Sequence, residues 1–142
     1  GSLGTADYPG NIGVGAFRNC TSLKSIGIGE GIRHIGDSAF EGCANLSYVS
    51  LPSTISNSQD SKGIGSRAFY YGENFSGGLA TIEIRAPLPP TIGENVFKVW
   101  QAFNPSTIAY FYPDIYVPSP ETYNQADGWS NYRDHIKQLK QL

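Results

Sequence analysis

The sequence predicts a mostly β protein, an α/β solenoid of about four turns closed by a short helical C-terminal cap. Two patterns carry that expectation. The first is a repeat: Ile35, Gly36, Ala39, Phe40, Cys43, Leu46 and Val49 are matched 23 residues earlier by Ile12, Gly13, Ala16, Phe17, Cys20, Leu23 and Ile26. A fixed period of this length describes turns that cannot bury their own apolar side and stack it on a neighbour. The second is a set of four short runs, Ile26/Ile28, Val49/Leu51, Ile82/Ile84 and Ile115/Val117, whose period of two belongs to half-buried strands.

Composition points the same way. With 17 Gly and 9 Pro in 142 residues, and only 15% charged, the chain suits many short strands and turns within one domain. Residues 1–118 are expected to form the solenoid and residues 119–142 its helical cap. A net charge of -2 favours neither a nucleic acid nor an anionic membrane as partner. No apolar run approaches the roughly 18 to 20 residues of a membrane span, and the start lacks a basic stretch followed by an apolar one. The chain is therefore expected to be soluble and already processed.

Taken in order, residues 3–11 carry no repeat signal, so the solenoid enters mid-turn at Ile12. That segment is expected either to cap the N-terminal end or to follow further chain upstream. In the second case an exposed edge strand near residues 23–28 would permit edge-to-edge self-association. Ile32-Arg33-His34-Ile35 reads as a short second strand or bend, with His34 exposed. Residues 37–43 read as a single helical or 3-10 turn, with Asp37 or Ser38 accepting from the N–H groups at its start. Phe17, Phe40, Phe69 and Phe97 occupy one register position and should stack as a ladder. Cys20 and Cys43 share another; the spacing of adjacent turns admits a disulfide, but two packed free thiols fit the stacked geometry better.

Later turns are lengthened by insertions, around Ser56 to Ser61 and in the excursion Lys98 to Tyr112. Pro87, Pro89 and Pro90 end the third strand. Ser119 then caps a helix with Pro120 at its first position and Glu121 in its first turn, and Gly128 stops it. Tyr132, Ile136 and Leu139 at helical spacing predict a second helix over 130–142, with Lys137 and Lys140 near its end.

The string I-G-x-x-A-F-x-x-C-x-x-L-x-x-V-x-L-P, present as Ile35 to Pro52 and nearly so as Ile12 to Gly29, resembles the BspA-like class of bacterial leucine-rich repeats. The likeness covers about residues 12–118, and the segment A-P-L-P-P-T-I-G-E-N-V-F with the Y-N-Q-A-D-G-W-S-N-Y-R-D-H-I tail is similar to the end of such proteins. The resemblance implies a right-handed leucine-rich-repeat solenoid, a secreted or cell-surface location in host-associated bacteria, and an adhesin-like role.

Chemistry is sparse. His34 and His135 belong to no metal or triad spacing, no paired carboxylates face a cleft, and neither a cofactor nor catalysis is expected. The informative positions are the outward residues of the four strands, which parallel pairing lines up in columns. One column is Ser25, Tyr48, Thr81 and Asp114; the next is Gly27, Ser50, Glu83 and Tyr116; the third is Gly29, Pro52, Arg85 and Pro118. Tyr48, Glu83, Arg85, Asp114 and Tyr116 thus form a candidate surface for a host or cell-surface protein, or a glycan. The competing reading is a solvated face with a Glu83/Arg85 surface pair. An alternative site is aromatic and lies on the insertions, with Tyr70, Tyr71 and Phe75 meeting Trp100 and Phe103. A structural spacer within a longer array is the remaining alternative.

Overall fold

The elements of the computed structural model follow from one constraint, that each short turn finds its hydrogen bonds and its apolar contacts in the turns beside it. Residues 10–59, 61–70, 79–97, 99–104 and 107–140 are described, with the backbone alone over 99–104 and 107–111. In chain order the elements are β1 (Asn11–Ile12), β2 (Ser25–Gly27), β3 (His34–Ile35), β4 (Tyr48–Leu51), β5 (Thr81–Ile84), β6 (Val99–Asn104), β7 (Thr107–Phe111), β8 (Asp114–Val117), helix α1 (Pro120–Asn124), a 3-10 helix (Trp129–His135) and β9 (Ile136–Gln138).

The main sheet is parallel, in the order β2-β4-β5-β8-β9. Ile26, Val49, Ile82, Ile115 and Ile136 lie side by side across it. In β4, β5 and β8 every second residue is buried, so Val49, Leu51, Ile82, Ile84, Ile115 and Val117 point to the core. On the opposite flank Ile12, Ile35, Ile64 and Ile92 form a second parallel ladder, two of its steps being single bridges. The chain is mostly β with a small helical C-terminal region, a β-rich solenoid.

Between these ladders the phenylalanines stack as expected. Phe17, Phe40, Phe69 and Phe97 have ring centroids 5.1, 5.2 and 5.9 Å apart, with planes within 4°, 4° and 9° of parallel. The backbone sets that spacing: the Phe17 N–H donates to the Ala39 carbonyl, Phe40 to Ala68 and Phe69 to Val96. Trp129 and Tyr132 then cover Phe97, at 5.7 Å and 5.3 Å, and end the stack. The Tyr123 hydroxyl donates to the Ala86 carbonyl at 2.6 Å and the Trp129 indole to the Pro90 carbonyl at 2.7 Å, so both buried polar tips are satisfied.

Several expectations are corrected. The second C-terminal helix is only the 3-10 turn at Trp129–His135, after which the chain becomes β9 beside β8. Ile136 is buried either way; here it meets Ile115 across the sheet rather than Tyr132 along a helix. Ser119 does sit at the N-cap position of α1, but its hydroxyl bonds the Thr122 hydroxyl instead of a backbone N–H. Asp37 accepts from the Ser66 N–H of the following turn rather than from its own. His34 is half-buried in β3, its Nδ1 donating to the Lys62 carbonyl at 3.0 Å. The excursion after Lys98 is an antiparallel ribbon of β6 and β7, irregular between Ala102 and Asn104. Cys20 and Cys43, in contrast, are free thiols as expected, and the Cys43 thiol donates to the Phe17 carbonyl at 3.0 Å.

Candidate functional site

Parallel pairing carries the site. Ser25, Tyr48, Thr81 and Asp114 are register partners, and so are Gly27, Ser50, Glu83 and Tyr116. The third column is reached one residue past the paired strands, where the Arg85 N–H donates to the Leu51 carbonyl and the Leu139 N–H to the Val117 carbonyl. β9 adds a further member to each of the last two columns: Lys137 beside Tyr116, and Leu139 beside Pro118.

Glu83 is the hub of this face. Its Oε2 accepts from the Tyr48 hydroxyl at 2.9 Å and from the Arg85 guanidinium at 3.4 Å. Arg85 also donates to the Ser50 hydroxyl. Burial, reinforced by the hydrogen bond and charge of Glu83, pushes the Tyr48 phenol above its ordinary range, so Tyr48 stays a neutral donor near neutrality. Asp114 takes no part in this cluster; it pairs with Lys137 at 3.3 Å. Glu83, Arg85 and Tyr116 line one groove of about 1030 Å³ together with Pro118, Leu139 and Lys140. Tyr48 reaches the groove only through Glu83, and Asp114 lies outside its lining.

Sequence reasoning misses the contribution of β9. Ile136 follows Ile115 by 21 residues, against 33 for each of the two steps before it and 23 from Ile26 to Val49. Its apolar pair with Leu139 three residues on has helical spacing, since a strand puts the two on opposite faces. Lys137 and Lys140, expected near a helix end, instead lie beside Tyr116 and in the groove lining.

The aromatic alternative is not assembled by the described residues. Tyr70 is stacked under the Arg67 guanidinium at 4.4 Å, and its carbonyl accepts from the Gly42 N–H, a packing role on the flank of the repeat. Tyr71 and Phe75 lie outside the described residues, as do the side chains of Trp100 and Phe103. Beside Tyr70, Glu41 is buried between Arg18 and Arg67, at 3.0 and 2.9 Å, and also accepts from Ser38. This relay links three successive turns and is structural.

Among the described residues no group of three or more His, Cys, Asp and Glu side chains is placed to hold a metal ion, and no helix is long and apolar enough to cross a membrane. What the face offers is shape, hydrogen bonds and charge. No curated protein sequence matches the chain. The family profile described as the BspA type leucine-rich repeat region, in six copies, matches residues 6–99. The chain therefore belongs to the BspA-type leucine-rich-repeat proteins, a noncatalytic protein-interaction architecture.

Proposed function

We propose that the chain is an adhesin-like module that binds a protein on a host or cell surface through the outer face of its main sheet. The observation that supports this reading most is the groove beside Glu83, Arg85 and Tyr116, because parallel register makes residues from distant turns into one continuous surface. An aromatic and an arginine at its centre are the residue types that anchor protein interfaces. On this reading residues 1–118 form about four right-handed turns and residues 119–142 the cap of the same domain, and the protein works outside the cell, at the surface or secreted. Glycan binding is the rival outcome of the same experiment.

Binding to a panel of immobilised host-matrix glycoproteins, intact and enzymatically deglycosylated, tests it. Expected is saturable binding that survives deglycosylation and weakens by about tenfold or more on Tyr116→Ala, with an unchanged melting temperature. Tyr48→Ala should act in the same direction, since it releases Glu83 from its hydroxyl donor. Binding lost on deglycosylation would move the assignment to the glycan, and no saturable ligand at all would leave the fold as a spacer.

A further inference from the structure

The groove has a sign opposite to that of the chain. The protein carries a net charge of -2, yet the charged residues lining the groove are Glu83, Arg85 and Lys140. The one carboxylate is already occupied by the Tyr48 hydroxyl and the Arg85 guanidinium. Of the further carboxylates beside the groove, Asp114 is neutralised by Lys137, and Glu30 has both oxygens engaged by the N–H and hydroxyl of Ser53. Arg85 spends two contacts of its five-donor fork on Ser50 and Glu83, and its side chain remains 48% exposed. Lys140 has no ion pair among the described residues and is exposed. The unspent capacity of the groove is therefore cationic.

The two cations are also spaced. Arg85 and Leu139 lie two strands apart in the third column, so their backbones are separated by about 10 Å, with Lys140 one residue further on. Tyr116 and Pro118 form the floor between them. In an extended peptide only every second side chain shares a face, so carboxylates at i and i+4 lie about 13 Å apart with the i+2 side chain between them on that face, a span the long Arg85 and Lys140 side chains can bridge from that interval. A nucleic acid does not fit, because two cations on an acidic chain cannot neutralise the several phosphates such binding requires. A guanidinium fork pairs well with a carboxylate.

We propose that this groove takes an extended acidic protein segment, with two carboxylates four residues apart on Arg85 and Lys140 and an apolar or aromatic side chain midway between them on Tyr116 and Pro118. The proposal rests on the sheet face being the binding surface, and adds the chemistry of what it binds.

Fluorescence polarisation of the whole chain with three labelled peptides tests it: one with Glu at positions four apart and Tyr midway between them, its Gln counterpart and its Lys counterpart. Expected is saturable binding of the Glu peptide only, weakening as salt rises from about 50 to about 300 mM. Arg85→Gln and Lys140→Gln should each weaken it by roughly fivefold, and Lys24→Gln, which removes the same charge away from the groove, should not. Lys140 is exposed and beyond the last strand pairing, so its variant keeps the test independent of any packing role of Arg85. Equal binding of the Glu and Gln peptides, no saturable binding of the Glu peptide, or equal losses in all three variants would overturn the proposal. If the matrix-protein binding still depended on Tyr116 while ignoring salt, Arg85→Gln and Lys140→Gln, only the acidic specificity would fall; loss of the Tyr116 dependence would remove the face itself.

Discussion

The first turn and the second turn of this solenoid carry nearly the same side chains in the same register, and they are buried very differently. Phe40, Cys43, Leu46 and Val49 are fully buried, whereas Phe17, Cys20, Leu23 and Ile26 are only half-buried. The second turn is clasped on both sides, by the first and by the turn of Phe69. No described turn lies on the outer side of the first. At the other end Phe97 is as buried as Phe40, because Trp129 and Tyr132 stand where another turn would. Burial in this molecule is thus conferred by the neighbour and not by residue identity, and a cap is whatever supplies the missing neighbour.

The sharpest way to break that comparison is to truncate the same ring in both turns. Phe40→Ala opens a cavity between two stacked rings and should cost about 3 to 5 kcal/mol. Phe17→Ala removes a half-exposed ring with one stacked partner, and a loss below about half that size is expected. Chemical denaturation of both variants measures the difference. Equal losses would mean that the end turn is packed as tightly as the interior, and that a neighbouring turn is not what confers burial.

A second comparison removes hydrophobicity from the question. Gly13 and Gly36 occupy the same repeat position. A Cβ on Gly36 would lie 2.6 Å from the Val14 nitrogen and 2.7 Å from the Gly13 carbonyl carbon, both backbone atoms of the preceding turn. At Gly13 no described atom comes within 4 Å. Neighbouring turns approach so closely on this flank that only glycine leaves room, and Gly65 and Gly93 repeat the contact with Asp37 and Ser66. Gly36→Ala should therefore destabilise by about 1 to 3 kcal/mol through backbone displacement, while Gly13→Ala should change stability by less than about 0.5 kcal/mol. Thermal unfolding of the pair reads it directly.

These glycines show how far the sequence can be read. Their recurrence is visible as part of the I-G-x-x-A-F string, and so are the phenylalanine ladder and the first two columns of the face. Each of those follows from the recurring motif, since equivalent positions of successive turns become stacked positions in space even where insertions stretch the step between phenylalanines from 23 to 29 residues. What periodicity does not encode is the reason a repeated residue is repeated, here the backbone contact under Gly36. It is also silent where the period breaks. β9 arrives out of step, and with it Lys137 and Lys140, so one of the groove's two cations falls, by sequence pattern, on a helix that the chain does not form. The Glu41 relay is hidden for a related reason: Arg18 shares its column, but Arg67 reaches it from a different register position.

The smallest contrast between the turns is chemical. Cys20 and Cys43 are equivalent in register, but Cys43 is fully enclosed and its thiol donates to the Phe17 carbonyl, whereas Cys20 is half-exposed. Burial pushes the Cys43 thiol above the ordinary cysteine range, and thiolate is the reactive form. Alkylation should therefore lag at Cys43, where both access and ionisation oppose it. In native protein one thiol should be modified quickly and one slowly, the slow one catching up only when denaturant opens the stack. Identifying the labelled residue after brief treatment decides the matter. Two thiols reacting at the same rate would show that the first turn shields its cysteine as well as the second does, which the half-exposed row of Phe17, Cys20, Leu23 and Ile26 does not allow.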